Sequence, residues 1–415
     1  VLGDSYNYTG GTLYCEEVAL ADIAAAAGTP CYVYSRRAIL NRYQAYESAF
    51  GGVPHTVCYA VKANGNLGIL RLLAEAGAGF DIVSGGELFR VLQAGGEASK
   101  TVFSGVGKTA DEIEYAIERG IHGFNCESEA EVALIDAIAS RRRTTVRAAF
   151  RVNPDIEAST HPYISTGLRE HKFGIPMADA EAAYDRARHF SNVRMEAVSC
   201  HIGSQLLDTG PLLEAVDRML ALAERLCSTG HSIRYLDLGG GLGVAYKPSD
   251  DTPPIPGFIE GVCARAASRN LHVMIEPGRS IVGASGVLLT RVLYRKRTGE
   301  KEFVVVDAAM NDLIRPALYQ SHHEIVPLRR DPSRGTIVAD VVGPVCETGD
   351  FLARNREIAN VLPGDLIALC TAGAYGFAQA SNYNARPRPA EVLVESGAWR
   401  EVRKRETYED LIRGE

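Results

Sequence analysis

The chain has 415 residues, a formal net charge of −7 and nine cysteines. Its length exceeds one small domain and suits a large domain plus a second. The mild acidic balance, with acids and bases interspersed, argues against nucleic acid or a membrane surface as the main partner. The cysteines are scattered and odd in number, and several lie inside apolar strands (Cys58, Cys200, Cys370). They form no CxxC pair and no Cys/His ligand cluster, which argues against a zinc site and a disulfide framework and points to a reducing, cytoplasmic setting. No apolar run reaches the length of a membrane span, and no signal peptide is visible. A start at Val1 rather than Met points to a natural N-terminus upstream of it.

Residues 1 to about 35 read as a short strand (Thr12 to Cys15), an alanine-rich helix ending at Gly28 and a strand from Cys31 to Ser35. From Val57 a regular alternation begins. Apolar strands recur near 57–62, 80–84, 101–104, 122–126, 146–152, 196–201, 235–238 and 272–276, with amphipathic helical patterns between them. Ser84 with Glu87, Thr109 with Glu112 and Ser128 with Glu131 have the spacing of capping boxes. Gly77, Gly95 and Gly120 stand where helix-ending glycines belong. Near-continuous apolar strands joined by helices mean a parallel sheet buried on both faces, and eight such units close into a (β/α)8 TIM barrel. A doubly wound open sheet is the alternative, but it calls for a dominant nucleotide loop after the first strand. Lys62-Ala63-Asn64 is not such a loop.

Asn153 to Gly174 is long, polar and broken by Pro154, Pro162 and Gly167, the texture of a lid or binding loop. After about 282 the pattern changes. Val287 to Arg291, Phe303 to Asp307, Thr336 to Val342, Leu366 to Thr371 and Glu391 to Glu395 are short β-branched segments between turn-rich stretches. They predict an all-β domain, a β-barrel or β-sandwich, with a helix from Tyr408 to Arg413 closing the chain. The expected division is 36–281 for the barrel, with 1–35 and 282–415 forming the β domain and the N-terminal strand joining it.

In barrels of this kind the site forms at the C-terminal ends of the strands. Those ends carry Lys62, then Asp81 and Ser84, Arg151 and Asn153, and His201-Ile202-Gly203-Ser204-Gln205. The last two carry Gly239-Gly240-Gly241-Leu242-Gly243 and Glu276-Pro277-Gly278-Arg279-Ser280. A lysine leaving an apolar strand loses solvation, which favours its neutral, nucleophilic form and suits it to Schiff-base chemistry with an aldehyde; the plainer role is a buried ion pair. Consecutive glycines let backbone N–H groups crowd a phosphate, and the loops after strands seven and eight are the usual phosphate site of such barrels. Glu276 would then face a cofactor ring nitrogen, and His201 would pack on the ring. A lysine amine, an acid, an imidazole and a phosphate cradle together describe pyridoxal 5'-phosphate.

Four motifs carry a family resemblance: Tyr59-Ala60-Val61-Lys62-Ala63-Asn64, His201-Ile202-Gly203-Ser204-Gln205, Gly239-Gly240-Gly241 and Glu276-Pro277-Gly278-Arg279. The chain resembles the fold-type III, alanine-racemase-like pyridoxal-phosphate decarboxylases. Four further stretches narrow the likeness to the diaminopimelate decarboxylase branch. They are Ile164 to Leu168 with Lys172-Phe173-Gly174, Asn311 to Tyr319, Gly343 to Glu347, and Gly373 to Gly376. Ala309, where glycine is expected, is a mild departure.

The resemblance implies decarboxylation of meso-2,6-diaminopimelate at its D-centre to L-lysine and carbon dioxide, the last step of lysine biosynthesis. It implies Lys62, the cofactor lysine, and His201 as catalytic residues, and both of them with Ser204, Gly240, Gly241, Glu276, Gly278, Arg279 and Tyr375 as cofactor contacts. Arg279, Arg315 and Tyr319 would grip the distal carboxylate, and Glu347 would lie near the distal amine, with Tyr375 touching both cofactor and substrate. Cys346 would be the proton donor. The family is a head-to-tail homodimer in which Cys346 and Glu347 reach the partner's site. Rival readings are a decarboxylase of another basic amino acid (ornithine, arginine or carboxynorspermidine), a racemase of the same fold type, and a non-catalytic relative. Arg315 separates the first, because a substrate without a distal carboxylate has no use for two arginines there. Cys346 and the glycine loops weigh against a racemase, and the presence of Lys62, Glu276 and Cys346 weighs against a non-catalytic relative.

Overall fold

The structure is a computed structural model that describes residues 2–156 and 172–415. The stretch expected to act as a lid therefore falls largely outside the described residues, as does the Ile164 to Leu168 motif. Contacts divide the chain into two units: Val1–Asn41, Val244–Asp251 and Arg279–Glu415 form one, and Arg42–Gly243 with Thr252–Gly278 the other. The division falls inside the helix Arg36–Ala49 and gives the β unit the short segment Val244–Asp251.

The larger unit is built on eight parallel strands: His55–Ala60, Gly79–Ile82, Thr101–Phe103, Gly123–Cys126, Val146–Asn153, Val193–Ser199, Tyr235–Asp237 and His272–Ile275. They pair in chain order, and the last closes on the first with Val273 opposite His55 and Ile275 opposite Val57. Closure settles the choice between a barrel and an open sheet. The strands close because both faces are apolar. Gly79–Ile82, Thr101–Phe103 and Gly123–Cys126 are buried at every position, and Phe80, Phe103, Phe124 and Phe150 are wholly buried. Each such ring contributes about 1.5–3 kcal/mol relative to exposure.

The helices start where their caps predict, with one correction. Thr109 and Glu112 form the full reciprocal box. At the other two sites the serine hydroxyl accepts from the third helical amide as expected. The glutamates, however, turn to the residue before the cap: Glu87 accepts from the Val83 amide and Glu131 from the Glu127 amide. The serine caps sit at φ near −160°, so the preceding amide is the one aimed back at the carboxylate.

The other unit holds a sheet in the order Phe351–Ala359, Thr336–Val342, Lys301–Val306, Gly286–Thr298, Cys31–Ser35, Ala390–Glu395, Ala398–Arg403. Leu366–Leu369 pairs with both Gly286–Thr298 and Ile325–Pro327. Cys31–Ser35 lies between Gly286–Thr298 and Ala390–Glu395. Thr12–Cys15 instead belongs to a small antiparallel sheet with Tyr6–Thr9 and Val18–Ala19. Three strands of the larger sheet escaped the sequence reading, as did the short strands Tyr6–Thr9, Val18–Ala19 and Ile175–Pro176. Phe351–Ala359 carries Arg354, Asn355, Arg356 and Glu357 through a bulge opposite Thr336–Val342, which hides its alternation. Ala398–Arg403 is a polar edge strand, and Ile325–Pro327 has three residues. The closing helix is shorter than expected, Tyr408–Leu411. Among the described residues no helix is long and apolar enough to cross a membrane.

Candidate active site

The first barrel strand ends at Ala60, two residues earlier than the sequence suggested. A single 3-10 turn, Val61–Ala63, then carries Lys62. Its ammonium pairs with the Asp81 carboxylate from the end of the second strand. The lysine side chain is 36% exposed and the aspartate not at all. Lys62 is thus an ion-pair partner, as the plainer reading had it, with a partly exposed side chain.

Behind it lies a polar network. Asn125, from the fourth strand, donates to Asp237 Oδ2 at 2.7 Å and to Glu276 Oε1 at 3.2 Å. The Ser104 hydroxyl reaches Glu276 at 3.4 Å. Burial, then the charges of Asp237 and Asp81, push the Glu276 carboxyl well above its ordinary range, against a smaller pull from Lys62. Asp237 is raised too, chiefly by burial. Glu87, read from sequence only as a cap, is raised to about 7, mainly by burial, with Lys62 and Asp81 acting on it in opposite senses. Asp237, Asn125, Ser104 and Glu87 were missed because a lone polar residue ending an apolar strand, or a cap glutamate, gives no separate signal.

The glycine loop is closed to side chains. A Cβ on Gly240 would overlap the Glu276 carbonyl oxygen, one on Gly239 would sit 2.6 Å from the Cys200 carbonyl oxygen and one on Gly241 2.8 Å from that of Gly203. Gly239 and Gly241 also have φ of 64° and 122°. A Cβ on Gly278 would meet the Ala63 and Ala60 methyls at 2.9 and 3.1 Å. The Gly240 amide donates to His201 Nδ1 at 3.2 Å. Burial, with Arg151 and Lys62 adding to it, holds His201 well below its ordinary pKa, so the ring is neutral. Ser204 follows on the same loop, half-buried. Arg151 is tied to Glu127 at 3.1 Å and lies 4.6 Å from the Phe173 ring centre.

The β unit holds a second cluster. Arg279 opens the short helix Arg279–Val282, and Arg315 opens Arg315–Tyr319; both are buried. Arg279 donates to the Tyr246 hydroxyl at 2.6 Å and lies 4.7 Å from the Tyr375 ring centre. Arg315 lies 5.1 Å from the Tyr246 ring centre and 5.8 Å from that of Tyr319. Burial raises the Tyr246 hydroxyl, but the two guanidiniums outweigh it and leave the pKa lowered. Tyr246 was missed because its loop follows a barrel strand in sequence. Cys346 and Glu347 lie on an exposed turn, and the Cys346 amide donates to Asn384 Oδ1 at 2.7 Å. Ala309 is accommodated without strain in a turn where its amide donates to Asp312.

The chain is similar to known proteins over nearly its whole length. A family described as pyridoxal-dependent decarboxylase, pyridoxal binding domain, matches residues 36–283. The diaminopimelate decarboxylase of Pseudomonas aeruginosa is 53% identical, with 99% of each chain covered. The chain belongs to the diaminopimelate decarboxylase family. Another member, from Neisseria meningitidis, is 50% identical over 97% of this chain and 99% of its own. Among solved structures, the diaminopimelate decarboxylase of M. jannaschii in co-complex with L-lysine has a TM-score of 0.94 at 37% identity, covering 99% of this chain and 97% of its own. That of Helicobacter pylori complexed with L-lysine has a TM-score of 0.91 at 42% identity, covering 95% and 98%. As in the rest of this decarboxylase family, the barrel is the pyridoxal-binding domain of a lyase.

Proposed function

We propose that the chain decarboxylates meso-2,6-diaminopimelate at its D-centre, yielding L-lysine and carbon dioxide. The observation that carries this reading is the buried pair Arg279 and Arg315, framed by Tyr246, Tyr319 and Tyr375. Guanidiniums at such a site suit a carboxylate, which each can bind in a bidentate way. The substrate keeps an L-amino acid group at its far end, and ornithine or arginine offers no second carboxylate there. Tyr319 and Glu347 complete the grip on that end, Glu347 toward the amine.

The barrel residues fit pyridoxal phosphate. Lys62 supplies the amine for its aldehyde, with Asp81 holding that amine in place. Glu276 would meet its ring nitrogen, and with Asp237 and Asp81 it forms a buried group of carboxyls whose crowding a protonated ring would relieve. The bare backbone of Gly240, Gly241 and Gly278, with Ser204 and the Arg279 amide, suits its phosphate, and Tyr375 adds a hydroxyl. Neutral His201 would pack on the ring face. Bound pyridoxal phosphate supplies an electron sink for the pair left on carbon when the carboxylate departs. The Cys346 thiol then delivers the proton that replaces carbon dioxide at that carbon.

In this reading two chains form a homodimer, and Cys346 and Glu347 of each serve the partner's site; the exposure of their turn supports it. Nine free cysteines support a reducing, cytoplasmic setting. The test is carbon dioxide release from meso-diaminopimelate, ornithine, arginine and carboxynorspermidine. Release from diaminopimelate at the highest kcat/KM is expected, and equal or faster turnover of another amino acid would overturn the reading.

A further inference from the structure

Arg315 meets its neighbours in a particular order. Its Nε–H points at His323 Nε2 at 3.3 Å, and one terminal nitrogen reaches the Ser321 hydroxyl at 3.3 Å. His323 is wholly buried. Its Nδ1 lies 2.9 Å from the Cys370 carbonyl oxygen. A carbonyl accepts only, so Nδ1 carries the hydrogen and Nε2 presents a lone pair to the guanidinium. The ring is held from other sides as well. It packs perpendicular to the Tyr246 ring, centroids 5.2 Å apart at 84°, and its own carbonyl accepts from Arg356 at 3.0 Å. The neighbouring backbone is pinned by the Cys370 amide donating to the Glu324 carbonyl at 2.8 Å. Burial, with Arg315 second, depresses the imidazole pKa to about 3, consistent with a neutral acceptor.

We infer that His323 is the positioning residue that sets the orientation of Arg315, engaging its Nε so that its terminal nitrogens are turned to the substrate's distal carboxylate. The inference rests on the reading of Arg315 as a carboxylate-binding residue. An arginine held only by aromatic rings can rotate about its long stem. An acceptor at Nε fixes the guanidinium plane, and a fixed plane is what bidentate recognition needs. His323 touches neither reacting atoms nor cofactor in this account; it acts through Arg315.

The test uses the pyridoxal-phosphate-loaded enzyme and two inhibitors of the same carbon chain: L-lysine, and 1,5-diaminopentane, which lacks the carboxylate. His323→Leu removes the acceptor. It should weaken L-lysine inhibition by about 10- to 100-fold and leave 1,5-diaminopentane within about threefold. KM for diaminopimelate should rise more than kcat falls. A general packing defect would weaken both inhibitors together, and that result would overturn the inference, as would no change in either.

Two polar variants keep the test decisive if His323→Leu fails to fold. His323→Gln extends an amide to the position of Nε2 and should restore L-lysine inhibition to within about threefold of the parent. His323→Asn reaches the Cys370 side only and should behave like the leucine variant. Equal behaviour of the two would overturn the role. Arg315→Ala separates this from the underlying reading: if it too spares L-lysine, the carboxylate reading itself fails. If it abolishes the preference for L-lysine while His323→Leu does not, only the positioning role fails.

Discussion

The barrel buries Asp81, Asp237 and Glu276 near Lys62, whereas the β unit buries Arg279 and Arg315 among tyrosines and a neutral histidine. Each cluster gathers charges of one sign where water is scarce, an arrangement that costs folding free energy. The barrel shows what a purely structural ion pair looks like by contrast. Lys108 is buried and Glu131 half-buried, one cation to one anion at 2.5 Å, with Lys108 also donating to two backbone carbonyls. In the proposed reading each like-charge cluster takes a ligand of the opposite charge: a cationic ring in the barrel, an anionic carboxylate in the β unit. The two regions teach that cofactor and substrate specificity are separate electrostatic tasks.

The largest expected effect concerns the proposed proton donor. Cys346→Ala should keep cofactor binding but lose a general acid, slowing turnover by roughly 10²–10⁴-fold. Lys62→Ala should be inactive for a different reason. In the proposed shared-site homodimer, mixing the two variants under subunit exchange should return about a quarter of wild-type activity, since about half the dimers would be mixed and one site in each would be whole. Activity that stays at the parental level, with exchange confirmed, would confine the site to one chain.

A smaller effect sharpens the charge comparison. Without cofactor, Glu276→Gln relieves carboxylate repulsion and should raise stability by about 0.5–2 kcal/mol while destroying activity. Arg315→Met should do the same in the β unit, because burial and the charge of Arg279 already disfavour the Arg315 cation. Urea midpoints measure both. Loss of stability in either variant would mean that its charge serves folding.

The smallest effect lies in pH dependence, and its sign differs between the units. Glu276 titrates above its ordinary range in the folded barrel, so the fold binds more protons than the unfolded chain. Its contribution is present at acid pH and lost as pH rises out of the carboxylate range. His323 titrates at about 3 when folded and about 6.5 when unfolded. Its contribution is present above about pH 6.5 and lost as pH falls toward about 3. In the cofactor-free protein, Glu276→Gln should flatten the alkaline loss and His323→Gln the acid loss. Unchanged midpoint profiles would contradict the assignment.

What the sequence revealed follows the same line. Lys62, Glu276 and the Gly239 to Gly241 run stand at strand ends, where strand-to-helix alternation alone locates the mouth of a barrel. Asp237 and Asn125 stand at strand ends too, but each is a single polar residue in an apolar strand, and only closure of the barrel brings them to Glu276. His323 finds Arg315 through pairing of its segment with Cys370, 47 residues away, which no local pattern announces. Tyr246 follows the seventh barrel strand in sequence yet packs with Arg279 and Arg315. Phe351–Ala359 was hidden by four consecutive polar residues on a bulged strand.

The division of labour between the clusters is tested most directly on Arg315→Ala. Borohydride reduction and peptide mass analysis should place a pyridoxyl group on Lys62 at the wild-type level, while kcat/KM for meso-diaminopimelate falls by an amount equivalent to roughly 2–5 kcal/mol. An adduct on another lysine, an adduct lost together with activity, or an Arg315→Ala enzyme with unchanged kcat/KM would contradict it.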